Sequence, residues 1–95
     1  IDRVQFNDRD TEFHVALASA VGNSLARDLT AAIRESMRRP ILDRFHALES
    51  WAVVAPLLCR DHEGIYAAVA RGDGTAAAAL AEEHIRSAWH LLNPV

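Results

Sequence analysis

Residues 6–23 read FNDRDTEFHVALASAVGN, and this stretch decides the fold class. Phe6, Phe13, Leu17 and Val21 recur at spacings near 3.6 residues, the period of an α-helix with one apolar face. Gly22 then suits the left-handed position that ends a helix, and Asn23 the cap of the next one. The spacing predicts a first helix over 6–21. Its polar residues carry as much information as its apolar ones. Asp10 lies four residues after Phe6 and three before Phe13, while His14 lies four after Asp10 and three before Leu17. Both therefore point into the buried face. A separation of four stacks them one turn apart, which lets two side chains of one helix bind one metal ion.

The same reading extends along the chain. A second helix is expected over 24–46, with Leu25, Leu29, Ile33, Met37, Ile41 and Phe45 on its buried stripe. Pro40 lies inside that pattern and predicts a kink or break near 37–40, because proline removes a hydrogen bond and clashes with the preceding turn. Residues 48–55 read as a connector, since Pro56 disfavours helix at Ala55 and suits a first helical position. A third helix then runs to Arg71, where Gly72 stops it. Asp73 or Thr75 caps a fourth, which reaches Leu92 before Asn93 and Pro94. The run Ala76–Ala79 reads as helix interior, and no strand-like alternation occurs. The expected fold is all-α, an antiparallel bundle of four helices.

With 95 residues the chain has the size of one domain, 1–95, burying roughly 60–65% of its unfolded surface. Hydrophobic residues make up 51% and charged residues 24%, which excludes the composition of a disordered segment. The net charge of -3 gives no basic surplus, so neither duplex nucleic acid nor an anionic membrane is an expected direct partner. All ten basic residues are Arg and Ala occurs 18 times, a bias that says little about function. The lone Cys59 rules out an internal disulfide, the longest apolar run (51–58) is too short to span a bilayer, and no leader opens the chain. The expected compartment is the cytoplasm. A start at Ile1 in place of Met reads as a piece of a longer polypeptide.

Two more histidines face inward by the same argument. His62 has Leu58 and Cys59 one turn before it and Ile65 and Tyr66 one turn after; His84 has Leu80 and Ala81 before and Ala88 and Leu91 after. An imidazole or carboxylate on an apolar stripe needs a partner, because burying it alone costs several kcal/mol. Each by itself can be a hydrogen-bonded core residue, and Asp10 can be a cap if its helix starts later. Together, Asp10, His14, His62 and His84 point from three helices toward one core as metal ligands. His46 and His90 read as solvated. His62-Glu63 begins like the zinc-protease HExxH, but Tyr66 stands where the second His belongs and Glu63 turns about 100° away. Cys59 reads as a small core hydrophobe rather than a ligand, and Arg34, Arg38 and Arg39 as a solvated coat on the second helix.

The run Asp10-Thr-Glu-Phe13-His14 followed by Ala20-Val-Gly22-Asn23 resembles a block of the FCD domain, the C-terminal effector-binding domain of FadR-type GntR transcription regulators. The segment from His62 through Ile65, Ala68 and Gly72 to Asp73 is similar to a second block, and Glu83-His84 to the closing one. The resemblance spans 7–92 in order and spacing. It implies a helical bundle holding a divalent metal through Asp10, His14, His62 and His84, lacking the two helices that open such a domain. It implies further a small organic acid as effector, a homodimer, and DNA contact only through an N-terminal winged helix-turn-helix absent from this chain. Effector-contacting residues are not assigned. The ligand set suits Zn²⁺ or Ni²⁺ first, and also Co²⁺, Mn²⁺ or Fe²⁺. The expectation is a sensor, not an enzyme. Its rivals are a small metal-assisted hydrolase, disfavoured because no further inward-facing acid or base stands near the four, and a helical interaction module with structural histidines.

Overall fold

A computed structural model of the chain describes residues 2–20 and 22–93. Four helices occupy them in order: α1 (Arg3–Ala20), α2 (Ser24–Ala47), α3 (Trp51–Ala70) and α4 (Gly74–Leu92), with no strand among the described residues. The all-α expectation is met. The chain divides into two compact units, Ile1–Ala47 and Leu48–Val95. Each is a helical hairpin, α1 packed on α2 and α3 packed on α4. No described helix is long and apolar enough to cross a membrane.

The first hairpin starts earlier than the apolar period suggests. Asp2 caps α1, its carboxylate accepting the Gln5 N–H at 2.8 Å while its carbonyl accepts the Phe6 N–H. Asp10 therefore sits mid-helix and caps nothing. At the far end Gly22 adopts φ 71°, and the Asn23 side chain accepts from the Leu25 and Ala26 N–H groups, so this turn follows the sequence reading. Val21, expected on the buried stripe, lies outside the described residues. α2 continues through Pro40 without a break. The hairpin is antiparallel, since Arg3 donates to the Phe45 carbonyl, Asn7 to the Arg38 carbonyl and Arg34 to Asp10.

The buried side of α2 is not the expected one. Phe45 is buried and Ile41 half-buried, but Leu25, Leu29, Ile33 and Met37 are 43–66% exposed. The cause lies in α1, whose inner side offers Asn7, Asp10 and Thr11 alongside Phe6. An acidic, amide-bearing surface is matched by guanidinium groups, so α2 turns Arg34 and Arg38 toward α1 and its aliphatic stripe away. Arg38 bridges Asp8 on α1 and Glu35 on its own helix; the Glu35 hydrogen bond and charge, with Asp8 adding to them, raise its pKa above the ordinary arginine value. Phe6 and Phe45 close one end of the hairpin edge to face, 5.7 Å between centroids.

The second hairpin corrects the expected connector. Trp51–Ala55 are helical, and Pro56 lies inside α3 instead of opening it. Burial overrides the local proline preference: Trp51, Val54, Ala55 and Leu58 are all buried and recur at helical spacing, which an extended segment would scatter. Ile65 and Ala68 continue that face. α3 ends where the sequence predicts. Gly72 takes φ 75°, its N–H bonds the Val69 carbonyl and that of Asp73 bonds the Ala68 carbonyl, the paired bonds of a Schellman cap. Asp73 then caps α4 through the Ala76 N–H at 3.0 Å.

Two glycines of this hairpin predict opposite outcomes. A Cβ at either Gly64 or Gly72 meets nothing within 4 Å, so only backbone conformation differs. Gly72→Ala should lower stability by about 1–2 kcal/mol through its left-handed φ, whereas Gly64→Ala, inside α3, should raise it by about 0.5–1 kcal/mol. Urea unfolding midpoints of the two variants check the sign.

Candidate functional site

The first hairpin brings Asp10 and His14 together. They stand one turn apart on α1, with His14 Nε2 3.2 Å from Asp10 Oδ1 and side chains only 18% and 11% exposed. The other carboxylate oxygen, Oδ2, accepts from Arg34 Nη2 at 2.8 Å, and Arg34 is itself only 16% exposed. Arg34 is thus a partner of the site and not a solvated coat. The Phe13 ring meets His14 edge to face at 5.5 Å, which restricts the imidazole.

The second hairpin brings His62 and His84 together. Their Nε2 atoms lie 3.2 Å apart across α3 and α4, with ring centroids at 4.7 Å and planes at 71°. His84 is buried, and its Nδ1 lies 2.9 Å from Asp61 Oδ2.

The two pairs share a dimension. In each, the facing ligand atoms are 3.2 Å apart. Two donors bound to one ion at about 2.0–2.1 Å, with angles between square and tetrahedral, are separated by roughly 2.9–3.4 Å. The separation in each pair therefore matches that of two adjacent positions around a divalent ion. His62, His84 and His14 offer imidazole nitrogens and Asp10 a carboxylate oxygen, a donor set suited to first-row divalent metals.

A sequence profile of the FCD domain matches residues 1–87. The chain belongs to the FCD family. No curated protein and no solved structure shows a significant match to it. FCD domains are ligand-sensing regulatory domains of GntR-type regulators, and the matched span contains both pairs.

The remaining polar residues of this FCD domain sort clearly. His46 and His90 are exposed, as expected. Cys59 is also exposed, which corrects its reading as a core residue. Glu63, Glu82 and Glu83 are exposed, the latter two facing Arg86 on α4. Asp61 is the candidate residue that sequence reasoning missed. It stands next to His62 but reaches His84 on the other helix, so a further acid does lie beside the expected ligands. Its signal was adjacency alone, since helical period puts it about 100° from His62.

The Arg34–Asp10 pair predicts a measurable asymmetry between arginines of α2. Arg34→Ala takes the guanidinium from a largely buried carboxylate and should cost about 2 kcal/mol. Arg39, 82% exposed in its pair with Asp43, should cost no more than about 0.5 kcal/mol when replaced by Ala. Chemical denaturation of the two variants compares them directly.

Proposed function

We propose that this FCD domain holds one divalent metal ion through Asp10, His14, His62 and His84 and senses a small organic acid there, on behalf of a DNA-binding domain lying outside these 95 residues. The observation that carries the reading is the pair of half-sites just described: each presents two donor atoms at 3.2 Å, and each has a charged neighbour holding one donor, Arg34 on Asp10 and Asp61 on His84. Each of the four side chains offers one ligand atom to such an ion. The set suits Zn²⁺ or Ni²⁺ first, with Co²⁺, Mn²⁺ and Fe²⁺ also compatible.

The charge of the site selects its effector. With imidazoles neutral, Asp10 and Asp61 ionised and Arg34 cationic, a divalent ion leaves the surroundings net positive, and a partly desolvated positive site favours an anion. Four protein donors leave one or two positions of a five- or six-coordinate ion for carboxylate or hydroxyl oxygens, which suits short hydroxy or dicarboxylic acids. The regulator acts in the cytoplasm as a homodimer in this reading. Contact with DNA falls to the other domain, because the net charge of -3 gives this one no basic surplus for neutralising phosphates. A hydrolase is not favoured: Asp61, the further acid beside His84, already uses its Oδ2 on that ring, and Glu63, Glu82 and Glu83 are exposed.

Elemental analysis of protein prepared without a metal-affinity column should find about one metal ion per chain, as expected for one three-His, one-carboxylate set. A His14→Ala, His62→Ala double variant should lose it, and His90→Ala should keep it. Full occupancy in the double variant overturns the ligand assignment.

Binding of an acid through the ion should raise the melting temperature by mass action, equivalent to about 2.7 kcal/mol at a concentration 100 times Kd. Citrate, malate, lactate and succinate screened by thermal shift on metal-loaded and chelator-stripped protein test this. Shifts should appear only in the loaded form; equal shifts in both would place the effector away from the metal.

A further inference from the structure

Asp61 adjoins His62 in sequence, yet its carboxylate is committed to His84 on the facing helix. We propose that Asp61 is a positioning residue that fixes the tautomer of His84 and so makes its Nε2 a metal-binding nitrogen, an inference that rests on the metal reading above. An ionised carboxylate only accepts hydrogen bonds, so the 2.9 Å contact requires the proton to sit on His84 Nδ1. A neutral imidazole carries one such proton. Nε2 therefore presents its lone pair, toward His62 Nε2 at 3.2 Å. With no metal the same contact is a hydrogen bond donated by His62.

Burial makes this arrangement durable. His84 is 6% exposed, so water does not compete for its ring nitrogens, while the Asp61 side chain is 37% exposed and keeps part of its hydration as an anion. The carboxylate also enriches the ring in electron density, which strengthens Nε2 as a donor. Without Asp61 nothing in this contact opposes the tautomer with its proton on Nε2, which cannot bind a metal until that proton leaves. An outer carboxylate of this kind changes metal affinity about 10–100-fold.

The test uses the 95-residue chain as wild type, Asp61→Ala and Asp61→Asn, the last keeping an acceptor oxygen without the charge. Zn²⁺ affinity is measured by competition with a chromophoric chelator, and the His84 ring is followed by ¹⁵N chemical shifts in metal-free protein. Asp61→Ala should bind Zn²⁺ about 10–100-fold more weakly and shift the His84 proton toward Nε2, with Asp61→Asn intermediate in affinity and wild-type-like in tautomer. Metal-free melting temperatures separate a mere tie between helices from positioning. A lowered melting temperature with unchanged affinity and tautomer overturns the inference while the metal reading stands. Failure of the wild type to bind Zn²⁺ overturns both, and is distinguished by being visible before any variant is made.

Discussion

A carboxylate on the inner side of a helical hairpin has to be paired, and in α1–α2 that requirement orients the second helix. Desolvating Asp10 without a partner would cost several kcal/mol. Arg34 meets it, His14 shares its other oxygen, and Asn7 and Arg38 fix the next turn of the same face. The consequence is an outward stripe of Leu25, Leu29, Ile33 and Met37 on a helix whose apolar period would otherwise place them inside.

The second hairpin solves a similar problem with different chemistry. Its walls are apolar, from Trp51 through Leu58 and Ile65 to Ala68, and the polar exception is the His62–His84 pair with Asp61 behind it. In both hairpins two potential ligands face each other and a residue of opposite charge or complementary hydrogen-bonding character holds one of them. In the proposed metal site such clamps would hold donor atoms near their binding positions before the ion arrives, which reduces the cost of ordering side chains. Membership of the FCD family gives these half-sites a regulatory setting, and the proposed metal would make them one sensor.

The candidate pairs were legible in the sequence because inward-facing Asp10, His14, His62 and His84 break an apolar period that is otherwise regular. The turns were legible too: Gly22-Asn23 and Gly72-Asp73 join a residue that accepts positive φ to one whose side chain caps a helix, and both act locally. The second-helix face was not. Periodicity identifies an apolar stripe but says nothing of what lies opposite, and α2 carries a cationic stripe that competes with it.

What the sequence by itself determined, then, are features governed by residues within about one helical turn: four helices, the turns at Gly22-Asn23 and Gly72-Asp73, and which His and Asp share a face. The tertiary structure alone decided the rotation of α2, the helical state of Trp51–Ala55 ahead of Pro56, and the roles of Arg34 and Asp61. The roles of Arg34 and Asp61 depend on groups separated by more than twenty residues in the chain, 24 between Asp10 and Arg34 and 23 between Asp61 and His84. At that separation the balance of desolvation and pairing is set by what packing brings opposite a side chain, and no local pattern encodes it.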